Sequence, residues 1–127
     1  MRILTLSIAM LGLVASSTPA HAEATATEIL RSYADATDEG KRWLVGYMTG
    51  LVTGYGWANA ALKAQGDTPL YCMPKGRELA DEDVVSLVRG AIRNDPQLGL
   101  RPFGMTLMVA LNRRFPCPKG GQKKPSP

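Results

Sequence analysis

Histidine is all but missing from this chain: the one copy, His21, falls within the first 22 residues. Cysteine is scarce too, with Cys72 and Cys117 standing alone and far apart. Two separated thiols without imidazoles do not make a zinc site, so no metal and no cofactor is expected. A reactive thiol would need a C-x-x-C pair or a partner base, and neither is present. No triad spacing for nucleophilic catalysis is found, and no two carboxylates are placed for acid and base work, so the chain reads as a non-enzyme. Alternating strand patterns and internal repeats are absent as well.

What is there begins with an export leader. Arg2 precedes an apolar segment from Ile3 to Val14, "SSTP" turns polar, and "AHA" closes residues 1–22 as an A-x-A cleavage site. The apolar part is too short to cross a bilayer core of about 30 Å as a helix. The expected mature chain starts at Glu23, is periplasmic or secreted, and keeps no transmembrane segment.

About 105 residues then remain, enough for one domain, and charge sets a basic tail apart from it. The whole chain has 15 basic and 11 acidic side chains; removing Arg2 leaves 14 against 11, and Lys119, Lys123 and Lys124 lie in the last nine residues. Residues 23–118 therefore balance, and the basic pI belongs to a tail. A nucleic-acid partner, which wants a basic face on the folded domain, is not expected. Residues 119–127, rich in Pro and Gly and without an apolar side chain, read as a disordered basic tail, with weak adhesion to anionic polymers as the functional alternative.

In an exported chain an even cysteine count reads as a bridge, so Cys72 and Cys117 are expected to pair. Closing that loop would stabilise the fold by about 4 kcal/mol in the chain-entropy model.

Periodicity predicts an all-α fold, a small bundle of about four helices spanning residues 23–118 with one long central helix. Thr25 and Glu28 have capping-box spacing before Ile29, Leu30 and Tyr33. The long helix runs from Asp38 to about Ala64, where Gly66 can terminate it in a left-handed conformation. "DTPLYCMPKG" reads as a loop because Pro69 and Pro74 restrict the backbone. Asp81, Glu82 and Asp83 start a third helix whose Val84, Leu87, Val88, Ala91 and Ile92 share a face, ending before Pro96. Pro102 suits a first helical position, followed by Phe103, Leu107, Ala110 and Leu111 on one face.

The uncharged stretch "WLVGYMTGLVTGYGWANAAL", Trp43 to Leu62, is the least ordinary segment. Its Thr, Asn and Gly content argues against a membrane span. "GYGWAN" starts like a dinucleotide fingerprint, but Asn59 takes the third glycine position and no strand precedes it. Packing remains. Gly46, Gly50, Gly54 and Ala58 recur every four residues and form a groove into which another backbone can fit. Each glycine costs roughly 0.5–1 kcal/mol against alanine in a helix, so something is expected to fill the groove. The third or fourth helix of the same domain is the expected filler, and a second copy or a partner protein is the alternative. Trp43, Tyr47 and Tyr55 suit a core edge or an interface anchor. Asn59 either fastens a neighbouring loop by hydrogen bonds, the preferred reading, or belongs to a binding site.

The order "GYMTGLVTGYGWANAAL", "LYCMP", an acidic-start helix and "ALNRRFPC" resembles the Rap1a/Tai family of small exported helical proteins. Gly46, Tyr47 and Gly50 fit its G-Y-x-x-G mark, Cys72 and Pro74 its C-x-P turn, and Phe115, Pro116 and Cys117 its closing F-P-C. Many members carry a further cysteine before the G-Y pair, where this chain has Trp43, Leu44 and Val45, so no additional bridge is implied. The resemblance implies a periplasmic immunity protein of type VI secretion that occludes a cell-wall amidase effector, and a homodimer. A toxin-facing segment is sought in "KAQGDTPLYCMPKGRE", where Tyr71, Met73, Lys75 and Arg77 are offered as partner-binding residues; an ordinary connection is the simpler alternative. Other readings are an acid-stress holdase of the HdeA kind, loosened by carboxylate protonation, and an accessory binding protein of the envelope.

Overall fold

The computed structural model describes residues 23–118. The expectations of a leader over residues 1–22 and of a tail over 119–127 lie outside the described residues. The fold is the all-α bundle expected. Helix α1 spans Ala26–Asp35, α2 Asp38–Ala64, α3 Asp81–Asn94 and α4 Phe103–Arg114, with a 3₁₀ turn at Pro96–Leu100 before α4. Cys72 and Cys117 form the expected disulfide. Among the described residues the only β pairing is an isolated antiparallel bridge between Thr25 and Pro102.

Local chemistry sets the boundaries. Thr25 and Glu28 complete the predicted capping box, with the Glu28 carboxylate accepting from the Thr25 N–H at 2.8 Å and the Thr25 hydroxyl accepting from the Glu28 N–H at 3.3 Å. These bonds hold the exposed Glu28 carboxyl below its usual pKa of 4.5, the backbone donor having the largest effect. Thr37 caps α2 by accepting from the Gly40 N–H, and Gly66 takes the left-handed conformation past its end at φ 80°. At α3 the Asp83 carboxylate accepts from the Ala80 N–H at 3.1 Å, and three acidic residues fill the first turn.

Helix α4 departs from expectation at its start. Pro102 is extended, at ψ 140°, and serves as the N-cap instead of the first helical residue. It has no side-chain oxygen with which to cap, so the amino-terminal segment supplies the acceptors. The Ala24 carbonyl accepts from Phe103 N–H at 3.1 Å and the Glu23 carboxylate from Gly104 N–H at 3.2 Å. Glu23 also accepts from the Tyr47 hydroxyl at 2.5 Å, joining α2 to the same seam. Gly104 permits that convergence: a Cβ there would stand 2.8 Å from the Tyr55 hydroxyl oxygen.

The core lies between α3 and α4. Val84, Val85 and Val88 of α3 pack with Phe103, Leu107 and Leu111 of α4, and α1 adds Ala26. Each fully buried large side chain contributes about 1.5–3 kcal/mol relative to exposure. Helix α2 is about 40 Å long at 1.5 Å per residue. It commits one stripe to this core, with Met48 and Asn59 buried and Leu51, Val52 and Tyr55 half-buried.

The opposite stripe of α2 corrects the expected packing. No atom of another element lies within 4 Å of where a Cβ would sit on Gly46, Gly50 or Gly54, so neither α3 nor α4 fills the groove that these residues and the half-buried Ala58 were expected to offer. The physical reason is burial: turning Met48, Leu51 and Tyr55 inward removes far more apolar area from water than turning glycines inward. The long helix is central in chain order only. In space it flanks the bundle, with Trp43 80 % and Trp57 73 % exposed.

Candidate partner-binding loop and cleft

Between α2 and α3 the chain runs through residues 65–80 without regular structure, so its polar backbone groups need partners from elsewhere. Side chains of flanking helices supply several. Asn59, on the inward stripe of α2, donates from Nδ2 to the Tyr71 carbonyl at 2.9 Å and accepts from the Leu70 N–H at 2.7 Å. Its amide thus mimics a neighbouring strand, which is the loop-fastening role expected for it. From the other side Asn112 of α4 donates to the Leu70 carbonyl at 2.7 Å, and Cys72 N–H donates to the Phe115 carbonyl at 2.7 Å. The disulfide closes at the same level, with Cα atoms 4.8 Å apart.

The "LYCMP" and "FPC" segments therefore meet in space. Phe115, buried at their junction, has the Arg77 guanidinium 5.3 Å and the Arg114 guanidinium 5.4 Å from its ring centroid. Each such stacking is worth about 0.5–1 kcal/mol at a surface. Beyond Cys72 the loop turns at Pro74–Arg77, where the Arg77 N–H donates to the Pro74 carbonyl at 3.3 Å. Gly76 occupies the third position at φ 75°, the conformation a type II turn requires there.

A cleft of about 580 Å³ opens beneath this turn. Val52, Met73 and Leu79 give it an apolar floor; Lys63 and Arg77 put positive charge on its rim, and Glu78 and Asp81 negative charge. Lys75 and Arg77 are exposed, and the one ion pair among the described residues is elsewhere, Arg113 with Asp95 at 3.5 Å. Neither cation has a carboxylate partner among the described residues. The cleft offers a ligand apolar contact flanked by both signs of charge.

Of the four residues expected in a partner-binding loop, Lys75 and Arg77 are exposed, and Met73, half-buried, lines the cleft with Arg77. Tyr71 is buried instead: it is 5 % exposed and part of the core, and burial pushes its phenol pKa up. Its neighbours explain the correction, since fastening Leu70 and Tyr71 to Asn59 and Asn112 turns the ring inward. Lys63, Glu78 and Asp81 escaped the sequence reading because a rim assembled from three separate elements has no local spacing to reveal it. Glu23 escaped likewise, its partners being 24 and 81 residues away.

Set against known proteins, the chain finds no matching family model, curated protein or solved structure.

Proposed function

We propose that this is an exported binding protein that acts by contact, and that its target is a cell-wall amidase effector whose cleft it occludes in the manner of type VI immunity proteins. The loop at residues 65–80 carries the reading. It is fastened by a disulfide, by two asparagine side chains and by a backbone bond to Phe115, yet it leaves Lys75 and Arg77 exposed and Met73 half-buried in the cleft. A loop ordered before encounter loses little conformational freedom on binding, which is how rigid inhibitors reach high affinity from a modest area. Two unpaired cations beside an apolar residue suit an acidic rim around an enzyme cleft, where they would steer association. The resemblance of the "GYMTG", "LYCMP" and "FPC" segments to the Rap1a/Tai family supplies the class of partner.

The test mixes the protein, with its disulfide intact, with a panel of peptidoglycan amidases that includes any encoded beside its own gene. Cleavage of the cell-wall peptide bond and complex formation are both read. Inhibition that the Lys75→Glu/Arg77→Glu variant loses is the expected result. Neither inhibition nor complex across the panel would overturn the reading, and suppression of client aggregation at acid pH alone would replace it with the holdase.

A further inference from the structure

Five residues on the outward face of α2 read the same in both directions. Trp43 and Trp57 stand seven positions either side of Gly50, and Gly46 and Gly54 stand four either side. At 3.6 residues per turn all five fall within an arc of about 80°. All five are exposed, and the three glycines meet no other element. Two tryptophans, 80 % and 73 % exposed, stand one at either end of this face.

We infer that this face binds a second copy of the same chain, α2 against α2, antiparallel, with the two-fold axis passing at Gly50. A two-fold interface must be self-complementary, and in an antiparallel pair centred on residue 50 each residue n lies level with residue 100 − n of its mate. Trp43 then meets Trp57, Gly46 meets Gly54, and Gly50 meets its own copy. An unrelated partner has no reason to demand such a palindrome.

Two further features fit this occupant. The glycines lie at the crossing, where the absence of side chains lets two helix backbones approach closely, and the indoles lie about 10 Å to either side at 1.5 Å per residue. Beside Trp43 an open concavity of about 600 Å³, lined by Glu39, Arg42, Trp43, Gly46 and Tyr47, lies where the mate's Trp57 would arrive. No charged residue lies between Trp43 and Leu62, so the paired face holds no charge that would have to be buried.

The area suffices. Four tryptophans, each contributing about 150 Å², supply roughly 600 Å², and the helix face between them adds the remainder of the 1,200 Å² or more that a specific interface buries. No helix among the described residues is long and apolar enough to cross a membrane. The inference uses neither the loop nor the cleft and stands apart from the amidase proposal.

Sedimentation equilibrium of the oxidised protein tests it. A dimer is expected, with Trp43→Ala and Trp57→Ala each raising its Kd at least about tenfold, because one substitution removes an anchor from both halves. Gly50→Leu should give a monomer of unchanged helical circular dichroism, since the helix there has open space on its outer side. Oxidative cross-linking reads the register. Gly50→Cys should link to itself, and a mixture of Gly46→Cys with Gly54→Cys should link across the pair while neither links to itself. A protein that stays monomeric to about 1 mM, a dimer unaffected by all three substitutions, or self-linking of Gly46→Cys would each overturn the inference.

Discussion

Replacing Asn59 with leucine tests whether one side chain holds the loop. The amide is 8 % exposed and serves two backbone groups at once, the Leu70 N–H at 2.7 Å and the Tyr71 carbonyl at 2.9 Å. Leucine has the same branched outline and is somewhat bulkier, so packing is largely conserved while both bonds vanish. Each backbone group left without a partner costs about 1–3 kcal/mol, and the larger apolar side chain returns part of this. The net expectation is a loss of about 2–4 kcal/mol, out of a total near 5–15 kcal/mol for a domain of this size. Urea denaturation followed by circular dichroism measures it, and an unchanged m value would show that the loss belongs to the native state. Asn59→Asp separates the two bonds. It keeps an acceptor for the Leu70 N–H but sets a carboxylate against the Tyr71 carbonyl, so it should be no more stable than the leucine variant. Asn112→Ala, which removes one exposed bond, should lose only about 0.5–1 kcal/mol. If Asn59→Leu lost less than about 1 kcal/mol, water would be replacing the amide, and the claim that α2 fixes the loop would fail.

Four other outcomes follow from the geometry. Converting both cysteines to alanine should lower stability by up to about 4 kcal/mol for a loop of 45 residues, read as an earlier urea midpoint. Gly104→Ala should lose about 1–3 kcal/mol by overpacking, because its Cβ would stand 2.8 Å from the Tyr55 hydroxyl, and Tyr55→Phe should restore part of that loss. Glu28 has a folded pKa below 4.5, so its stabilising effect is complete above that value and is lost as pH falls through the folded pKa; Glu28→Gln should make the acid limb of the stability profile shallower. Tyr47, Tyr55 and Tyr71 run the other way. Burial is the first cause for each, with Glu23 adding to the upward shift at Tyr47 and Tyr55, so their contribution is complete below pH 10 and is lost as pH rises through the folded values. Phenolate absorbance should therefore develop together with unfolding, and early titration of all three in the native protein would contradict their placement.

The helices were legible because each carries its own local signals. Thr25 with Glu28, the acidic run at Asp81, and the Val84–Val88–Ala91 spacing all act within a turn or two, and α2 and α3 begin and end at their expected residues. The disulfide was legible because a chain with two cysteines has only one possible pairing. The direction of α2 was not. Its glycines and its large side chains form separate stripes, and either can be argued inward until the competing areas are compared. The turn at Pro96–Leu100 was also missed, since a single 3₁₀ turn has no apolar period. Tyr71 was misplaced because the loop's orientation is fixed by Asn59, 12 residues from Tyr71, and by Asn112, 42 residues from Leu70.

The seam between Glu23 and α4 has a consequence for how the molecule reaches this state. The last helix borrows two acceptors from residues that leave the ribosome about eighty positions earlier. Such a junction cannot zip locally: it waits for both termini, and joining them late carries the entropy of closing nearly the whole domain. A chain threaded through a translocation pore amino end first would hold α1 in a provisional state until Arg114 has followed. No fragment that stops short of α4 owns a finished core, since Phe103, Leu107 and Leu111 belong to it.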